Sequence, residues 1–366
     1  MAADIEVYVA NLNPNFTGVS ATVIGVMAAH LARYRVGLVG FALPGLPAPM
    51  GPLAALWRAR RKPEGRAFSI WHTRRNGELQ VALVARYVLR LPIRVVFTAV
   101  SMRRNSGWTR WIISKADAVI AVTDQAASVA GNVWAVVPHG VDCAAFQPVA
   151  NRAARWASLG YGGARGVAAI GRVRPEKGTD VFVDTMIAAL PGLPDVVALV
   201  IGMAQGKHQA FQDGLQARIE AAGLTGRIRF IGEILQPELA QLLPGLSLVV
   251  ALPRYEGYGM TPLEAMACGV PIVASDVGFF RNFVGEAQDA GRIVAVGDIA
   301  AGAAAVSELL SDPVIFAAAA VQALIRAQRQ FSIQSEADGI AAVYERLWAG
   351  EAGTKGGHDF STKNSA

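Results

Sequence analysis

Between Arg254 and Gly269 the chain reads Arg-Tyr-Glu-Gly-Tyr-Gly-Met-Thr-Pro-Leu-Glu-Ala-Met-Ala-Cys-Gly, with two carboxylates, Glu256 and Glu264, eight residues apart. The segment lies between two strand-like runs. It predicts a strand-end loop carrying Glu256 and a helix whose first turn carries Glu264, so both could reach one polyhydroxyl ligand. Part of it is ordinary helix chemistry: Thr261 followed by Glu264 spells a capping box, Pro262 suits the first turn, and Gly269 is a C-terminal stop. Glu256, Gly257 and Gly259 are not explained that way, and flexible backbone with exposed amides at a helix start favours an anion. A second candidate is Gly171-Arg-Val-Arg-Pro-Glu-Lys-Gly178, which sets Arg172 and Lys177 after another strand. A solvated loop with a salt bridge to Glu176 is its plain alternative.

What must position these residues is an alternation of short Val/Ile/Ala-rich runs with longer helical patterns, the signature of parallel sheets with crossover helices. Strands are expected at 5–10, 35–41, 68–72, 93–98, 117–122 and 133–137, and again at 167–171, 196–202, 227–231, 247–252, 270–274 and 292–296. In 19–33, Val19, Val23, Val26, Met27, His30 and Leu31 recur at helical spacing, so His30 reads as a core histidine. After Pro138 the pattern breaks, which places a boundary at 150/151 between a domain of residues 1–150 and one of 151–330. A C-terminal helix at 331–349 is expected to pack back on the first domain, and the Gly-rich tail 350–366 is expected to be disordered. The fold class is α/β: two doubly wound parallel-sheet domains facing a cleft, with ligands beyond the carboxyl ends of the strands.

Composition narrows the classes. The chain has 366 residues, 53% hydrophobic and 17% charged, too apolar for disorder and long enough for two domains. Apolar runs fall short of the ~20 residues that cross a bilayer. Cys143 and Cys268 cannot form a disulfide framework or a four-ligand zinc site, and Met1-Ala2-Ala3-Asp4 lacks a secretory pattern, so the expectation is a soluble cytoplasmic protein. Residues 1–150 hold 16 Lys/Arg against 7 Asp/Glu, whereas 151–366 hold 18 against 21, so the net +6 belongs to the first half. That asymmetry points to an anionic partner there.

Glu256 and Glu264 with seven residues between them, followed by Ala-Met-Ala-Cys-Gly-Val-Pro-Ile-Val-Ala-Ser-Asp-Val-Gly, resemble the nucleotide-sugar motif of retaining glycosyltransferases of family 4, which have the GT-B fold. Arg172 to Gly178 is similar to that family's strand-end basic pair, and Ala116-Asp117-Ala-Val-Ile-Ala-Val-Thr123 to another of its strands. The resemblance covers roughly residues 5–349 and is strongest over 167–298. Phrases such as Trp71-His-Thr-Arg-Arg-Asn-Gly77, Phe97 to Trp111 and Val137-Pro-His-Gly-Val-Asp142 look most like lipopolysaccharide core mannosyltransferases of alphaproteobacteria.

The resemblance implies a donor site of Gly18, Arg172, Lys177, Glu256, Gly257, Tyr258, Gly259, Met260, Thr261 and Glu264. Glu256 would touch the donor sugar, Glu264 the ribose, and Arg172 with Lys177 the diphosphate. It implies catalytic roles for Glu256, Arg172, Lys177 and His72. GDP-mannose would be the donor and a lipid-linked core sugar the acceptor. No cofactor is implied, and no metal: an Asp-x-Asp cluster is missing and the basic pair can neutralise the diphosphate instead. Relatives usually carry two glycines in the first loop, where this chain has Thr17-Gly18, and an ordinary glycine turn with a Ser20 cap competes for that reading.

Relatives also carry a histidine after the fourth strand, where this chain has Ser101-Met102-Arg103-Arg104, so that role passes to Ser101, His72 or main chain. His72 precedes Arg74 and Arg75 at a strand's carboxyl end, where buried packing is not expected. His72, Arg74, Arg75, Ser101, Arg103 and Arg104 are therefore expected to meet the acceptor. Arg58, Arg60, Arg61, Lys62 and Arg66, beside Leu53, Leu56 and Trp57, suggest a short interfacial helix at the cytoplasmic face of the inner membrane; a solvated surface is the alternative. Nucleic acid is not expected, because no stacking aromatics interleave the arginines. Rival functions are transfer of another UDP- or GDP-sugar to a different envelope glycan, a nucleotide-sugar epimerase of the same fold, and a non-catalytic binder.

Overall fold

The computed structural model describes residues 4–15, 18–101 and 106–351 and divides into two compact units, residues up to Gly140 with those from Ile333 onward, and Val141–Ser332. In the first unit the elements run β1 (Val7–Asn11), α1 (Gly18–His30), β2 (Val36–Gly40), α2 (Pro52–Arg58), β3 (Ser69–Thr73), α3 (Asn76–Leu83), a π-helical turn (Val84–Val88), β4 (Ile93–Ala99), α4 (Gly107–Ile113), β5 (Ala118–Ala121), α5 (Asp124–Ala130) and β6 (Val133–Val136). The strands pair in parallel in the order β2-β1-β3-β4-β5-β6. Strand side chains alternate between two cores. Val7, Val9 and Ile70 pack under α1, whereas Tyr8 and Trp71 pack with Ala55 of α2, Leu79 of α3 and Ile112 of α4. A strand covered on both faces is apolar throughout, which is why the sequence shows runs rather than alternation.

The second unit repeats the plan with α6 (Arg152–Ser158), β7 (Arg165–Ile170), α7 (Thr179–Ala189), β8 (Val196–Ile201), α8 (Gln209–Ala221), β9 (Ile228–Gly232), α9 (Gln236–Leu242), β10 (Leu246–Ala251), α10 (Met260–Ala267), β11 (Ile272–Ser275), α11 (Phe280–Val284), β12 (Gly291–Val294), α12 (Ile299–Ser311) and α13 (Pro313–Gln330). Its parallel order is β12-β11-β10-β7-β8-β9. All twelve strands fall within a few residues of where the apolar runs predict them.

The division at 140/141 lies ahead of the expected 150/151. Residues 141–150 contain no strand, but Val141 and Phe146 are buried in the second unit's core and the Val141 amide donates to the Phe331 carbonyl at 2.7 Å. At the other end Phe331 remains in that core, and α14 (Ile333–Trp348) belongs to the first unit, where Ala337, Ile340, Ala341, Tyr344 and Leu347 share the core of α1. Tail residues 352–366, for which disorder was expected, lie outside the described residues.

Glu336, in the first turn of α14, is buried and receives the His139 ring nitrogen Nδ1 at 2.9 Å and the Gly140 amide at 2.8 Å. This carboxylate ties α14 to the last residues that the chain contributes before leaving the unit. Glu336→Ala leaves two buried donors unsatisfied, at about 1–3 kcal/mol each. A drop of roughly 2–4 kcal/mol is expected in the first unit's urea unfolding free energy, with the second unit's transition unmoved.

Candidate functional site

The second unit's sheet reverses its strand order between β10 and β7, and their carboxyl ends diverge into loops that leave a crevice. The loop after β7 carries Arg172 and, in a 3-10 turn at Pro175–Lys177, Lys177; the loop after β10 carries Glu256. Lys177 Nζ lies 2.6 Å from Glu256 Oε2, and Glu256 Oε1 accepts the Gly257 amide at 3.0 Å. Arg254 braces the arrangement by gripping Asp180, on the first turn of α7, with both guanidinium nitrogens at 2.8 and 2.7 Å. Burial would raise the Asp180 carboxyl's proton affinity, but the Arg254 hydrogen bonds outweigh it and hold the group below its ordinary value.

These loops enclose a cavity of about 170 Å³ lined by Gly171, Arg172, Lys177, Thr179, Glu256 and the Gly259–Pro262 start of α10, among others. Arg172 is exposed there and makes no ion pair among the described residues. The α10 N-terminus is capped by backbone alone: Gly259 has φ +94° and no side chain bonds the first turn. Its amides are therefore open to a ligand, and the helix dipole adds positive character. The site accordingly offers two cations, open amides and one carboxylate, suited to a diphosphate carrying a hydroxylated group.

Three expected donor residues stand differently. Thr261 is not an N-cap but the second residue of α10, so the capping box with Glu264 does not form. Glu264 is buried in the helix and is not part of the cavity wall, and burial pushes its carboxyl up to about 7. Tyr258 is buried against Phe279, with ring centroids at 5.0 Å, and Phe283, so its ring belongs to the core rather than the cavity. Thr179 and Phe280 line the cavity but escaped sequence reasoning. Phe280 sits beyond β11, and only proximity in the folded sheet brings it there.

In the first unit, Gly18 opens α1 with free space around it, and Ser20 is a buried helix residue accepting from Arg75 Nη2 at 3.2 Å, not a cap. His72 is a correction. It is 0% exposed, its Nδ1 lies 2.5 Å from the Tyr344 hydroxyl and its Nε2 2.7 Å from Thr98 Oγ1, and burial drives its proton affinity well below the ordinary value. A strand-end histidine was expected to be open, but α14 returns across it, so His72 is a neutral core group. Arg75 pairs with the buried Glu78 at 2.9 Å and donates to Asn11 Oδ1 at 3.1 Å. Arg74 is buried and Ser101 exposed, and Arg103 and Arg104 lie outside the described residues. Arg66 is withdrawn from the basic cluster by Glu6, Glu345 and the face of Trp348.

Compared with known proteins, the profile of "Glycosyl transferases group 1" matches residues 152–330, spanning the cavity. A lipopolysaccharide core biosynthesis mannosyltransferase, LpsB, of Rhizobium meliloti is 41% identical over 352 residues, covering 94% of this chain and 98% of that protein. The chain belongs to the group 1 glycosyl transferases. Its relative LpcC of Rhizobium leguminosarum bv. viciae is 36% identical over 94% of this chain and 97% of that protein. The crystal structure of Anabaena Alr3699/HepE in complex with UDP superposes with a TM-score of 0.77 over 94% of this chain and 100% of that one, at 18% identity. That likeness establishes a shared fold, and the two six-stranded parallel sheets are those of the GT-B architecture. The protein is thus a glycosyltransferase.

Glu264 gives this glycosyltransferase a pH dependence. The unfolded chain ionises this carboxyl near 4.5, but the folded chain holds the proton up to about 7. The folded state therefore binds more protons in between, and stability falls as pH rises from about 4.5 to about 7, then levels off. At roughly 1.4 kcal/mol for each tenfold change in proton affinity, the loss is about 3 kcal/mol. Glu264→Gln should flatten this slope in the second unit's unfolding and leave the protein more stable above pH 7. A variant that keeps the wild-type slope would refute the assignment.

Proposed function

We propose that this glycosyltransferase moves a mannosyl group from GDP-mannose, with retention at the anomeric carbon, to a lipid-linked saccharide of the lipopolysaccharide core. The observation that carries the reading is the Lys177–Glu256 pair inside a cavity that also holds Arg172 and the start of α10. The likeness to proteins named as core mannosyltransferases, over nearly the whole chain, supports the choice of sugar and acceptor. In the empty site the two charges neutralise each other. A bound diphosphate takes over the Lys177 ammonium and frees Glu256 to accept from sugar hydroxyls.

As the glycosidic bond breaks, the departing diphosphate gains negative charge, and Arg172, Lys177 and the α10 amides stabilise that state more than the ground state. The acceptor oxygen attacks the anomeric carbon from the same face, and the leaving phosphate oxygen takes the acceptor proton. Glu256 positions the sugar. The scheme needs no metal ion. Lys177→Ala and Glu256→Ala should each cut transfer to deacylated core acceptor by more than tenfold, with circular dichroism unchanged. UDP-sugars run alongside test the base, a new sugar formed without acceptor would indicate an epimerase, and wild-type rates in both variants would remove the site.

The reading extends to the cytoplasmic face of the inner membrane. Among the described residues no single helix is long and apolar enough to cross a membrane. On α2, Leu53 is 82% and Trp57 63% exposed, next to the exposed Arg58, Arg60, Arg61 and Lys62. On the same sheet face, Val84, Tyr87, Val88, Trp108 and Trp111 line an apolar groove of about 630 Å³ beside Lys115. Aromatic surface rimmed by cations suits an anionic headgroup layer. Replacing Arg58, Arg60 and Arg61 by Gln, or Trp108 and Trp111 by Ser, should weaken salt-sensitive binding to phosphatidylglycerol vesicles. Unchanged binding in both would contradict the membrane reading.

A further inference from the structure

Arg74 follows β3 directly, and its side chain is only 6% exposed. Its Nε and Nη1 are shielded from solvent and have no hydrogen-bond partner among the described residues. A guanidinium cannot shed its charge at any physiological pH, and a buried charge without a counter-charge destabilises the fold. Among the described residues no carboxylate forms an ion pair with this guanidinium. Both oxygens of Glu78 are taken, by the amides of Leu12, Arg74 and Arg75 and by the Arg75 side chain. Both oxygens of Glu336 are taken by His139 and Gly140. The groups that feel the Arg74 charge are His72, His30 and Tyr344, two imidazoles and a phenol.

The position matters as much as the missing partner. β1 and β3 are the neighbours between which this sheet's strand order reverses, so their carboxyl ends form the ligand crevice of a doubly wound sheet. Val9 pairs with His72, which puts Arg74 level with Asn11 at the end of β1. Two residues after His72, whose ring faces Tyr344 on α14, Arg74 lies on the face covered by α1 and α14. The 13-residue α1 begins at this same edge and has no acidic residue in its first turn.

We propose that Arg74 is a specificity-determining anchor for an acidic group, a carboxylate or a phosphate, on the acceptor saccharide. A planar guanidinium presents Nη2 together with Nε along one edge and together with Nη1 at its end, and either edge matches these anions in a bidentate mode. The anion supplies the counter-charge that the fold withholds. This assignment rests on the transferase reading above, but the site itself can be tested without it.

In a background of Arg172→Ala with Lys177→Ala, which silences the diphosphate cavity, millimolar inorganic phosphate or acetate at constant ionic strength should raise the first unit's unfolding midpoint, and the stronger anion identifies the chemistry. Arg74→Met in that background should start no lower, because it removes an uncompensated charge, and should not respond. A fall of several degrees with the anion response retained would make Arg74 an ordinary structural residue and overturn the site, as would no response to either anion in the Arg74 protein. Acceptor binding by calorimetry to the otherwise wild-type chain then tests the assignment. Carboxyl-methylated or dephosphorylated acceptor should bind roughly tenfold more weakly than intact acceptor. Arg74→Met should erase that difference without changing nucleotide affinity, and Arg74→Lys should restore part of it. An anion response without such discrimination would overturn the acceptor assignment alone.

Discussion

Lys177 and Glu256 are 79 residues apart in sequence and 2.6 Å apart in space because β7 and β10 are neighbours at the point where the second sheet reverses direction. The cavity follows from that adjacency. Two crossover connections leave opposite faces of the sheet there, so the loops after these strands splay and their side chains converge on a gap that no helix fills. An ammonium and a carboxylate left in such a gap satisfy each other when it is empty, and each is available to a ligand that can offer something better. Because the pair is partly exposed, its own contribution to stability is small. Its importance is positional.

The loops can converge so closely only where they lack side chains. Gly178, at φ +66°, lies where a Cβ would run into the Leu252 carbonyl at the end of β10, so the basic loop rests directly on the neighbouring strand. Gly259, at φ +94°, turns the chain into α10 against the ring of Phe280. The glycines flanking the charged residues thus have two effects, allowing a left-handed backbone and permitting contact between segments. Arg254 and Asp180 then fix the loop from outside with a bidentate pair.

What the sequence revealed and what it hid divide along one physical line. Strands buried on both faces declare themselves as apolar runs, and the charged residues of the cavity sit in short, ordered segments that can be read locally. The burial of His72 and Tyr258 has a non-local cause, an element that local pattern does not place. The ring of His72 is closed over by Tyr344, 272 residues further on, and Tyr258 packs on phenylalanines beyond β11. Thr261 and Glu264 fit a capping box by spacing, but the cap is Gly259 and the helix begins at Met260, two residues earlier than that box requires. The contact boundary falls earlier, at 140/141, because residues 141–150 have no regular structure and are assigned only by what Val141 and Phe146 touch.

The excess of positive charge in the first half resolves into cations of three kinds. Some are neutralised within the fold: Arg66 by Glu6 and Glu345, Arg75 by Glu78, Arg86 by Asp117. These contribute to the tally but offer nothing to a partner. Others, from Arg58 to Lys62, stand in solvent beside Leu53 and Trp57, where water screens them and their attraction for an anionic surface is diffuse and salt-dependent. Arg74 is different in kind, a desolvated charge that pairs with no carboxylate among the described residues. Low dielectric makes its interaction with an incoming anion stronger per contact than that of any exposed arginine, and the same burial restricts the anion to one small group in one orientation. Net charge therefore says that an anion is attracted, and only the burial of each cation says whether it is attracted loosely or recognised.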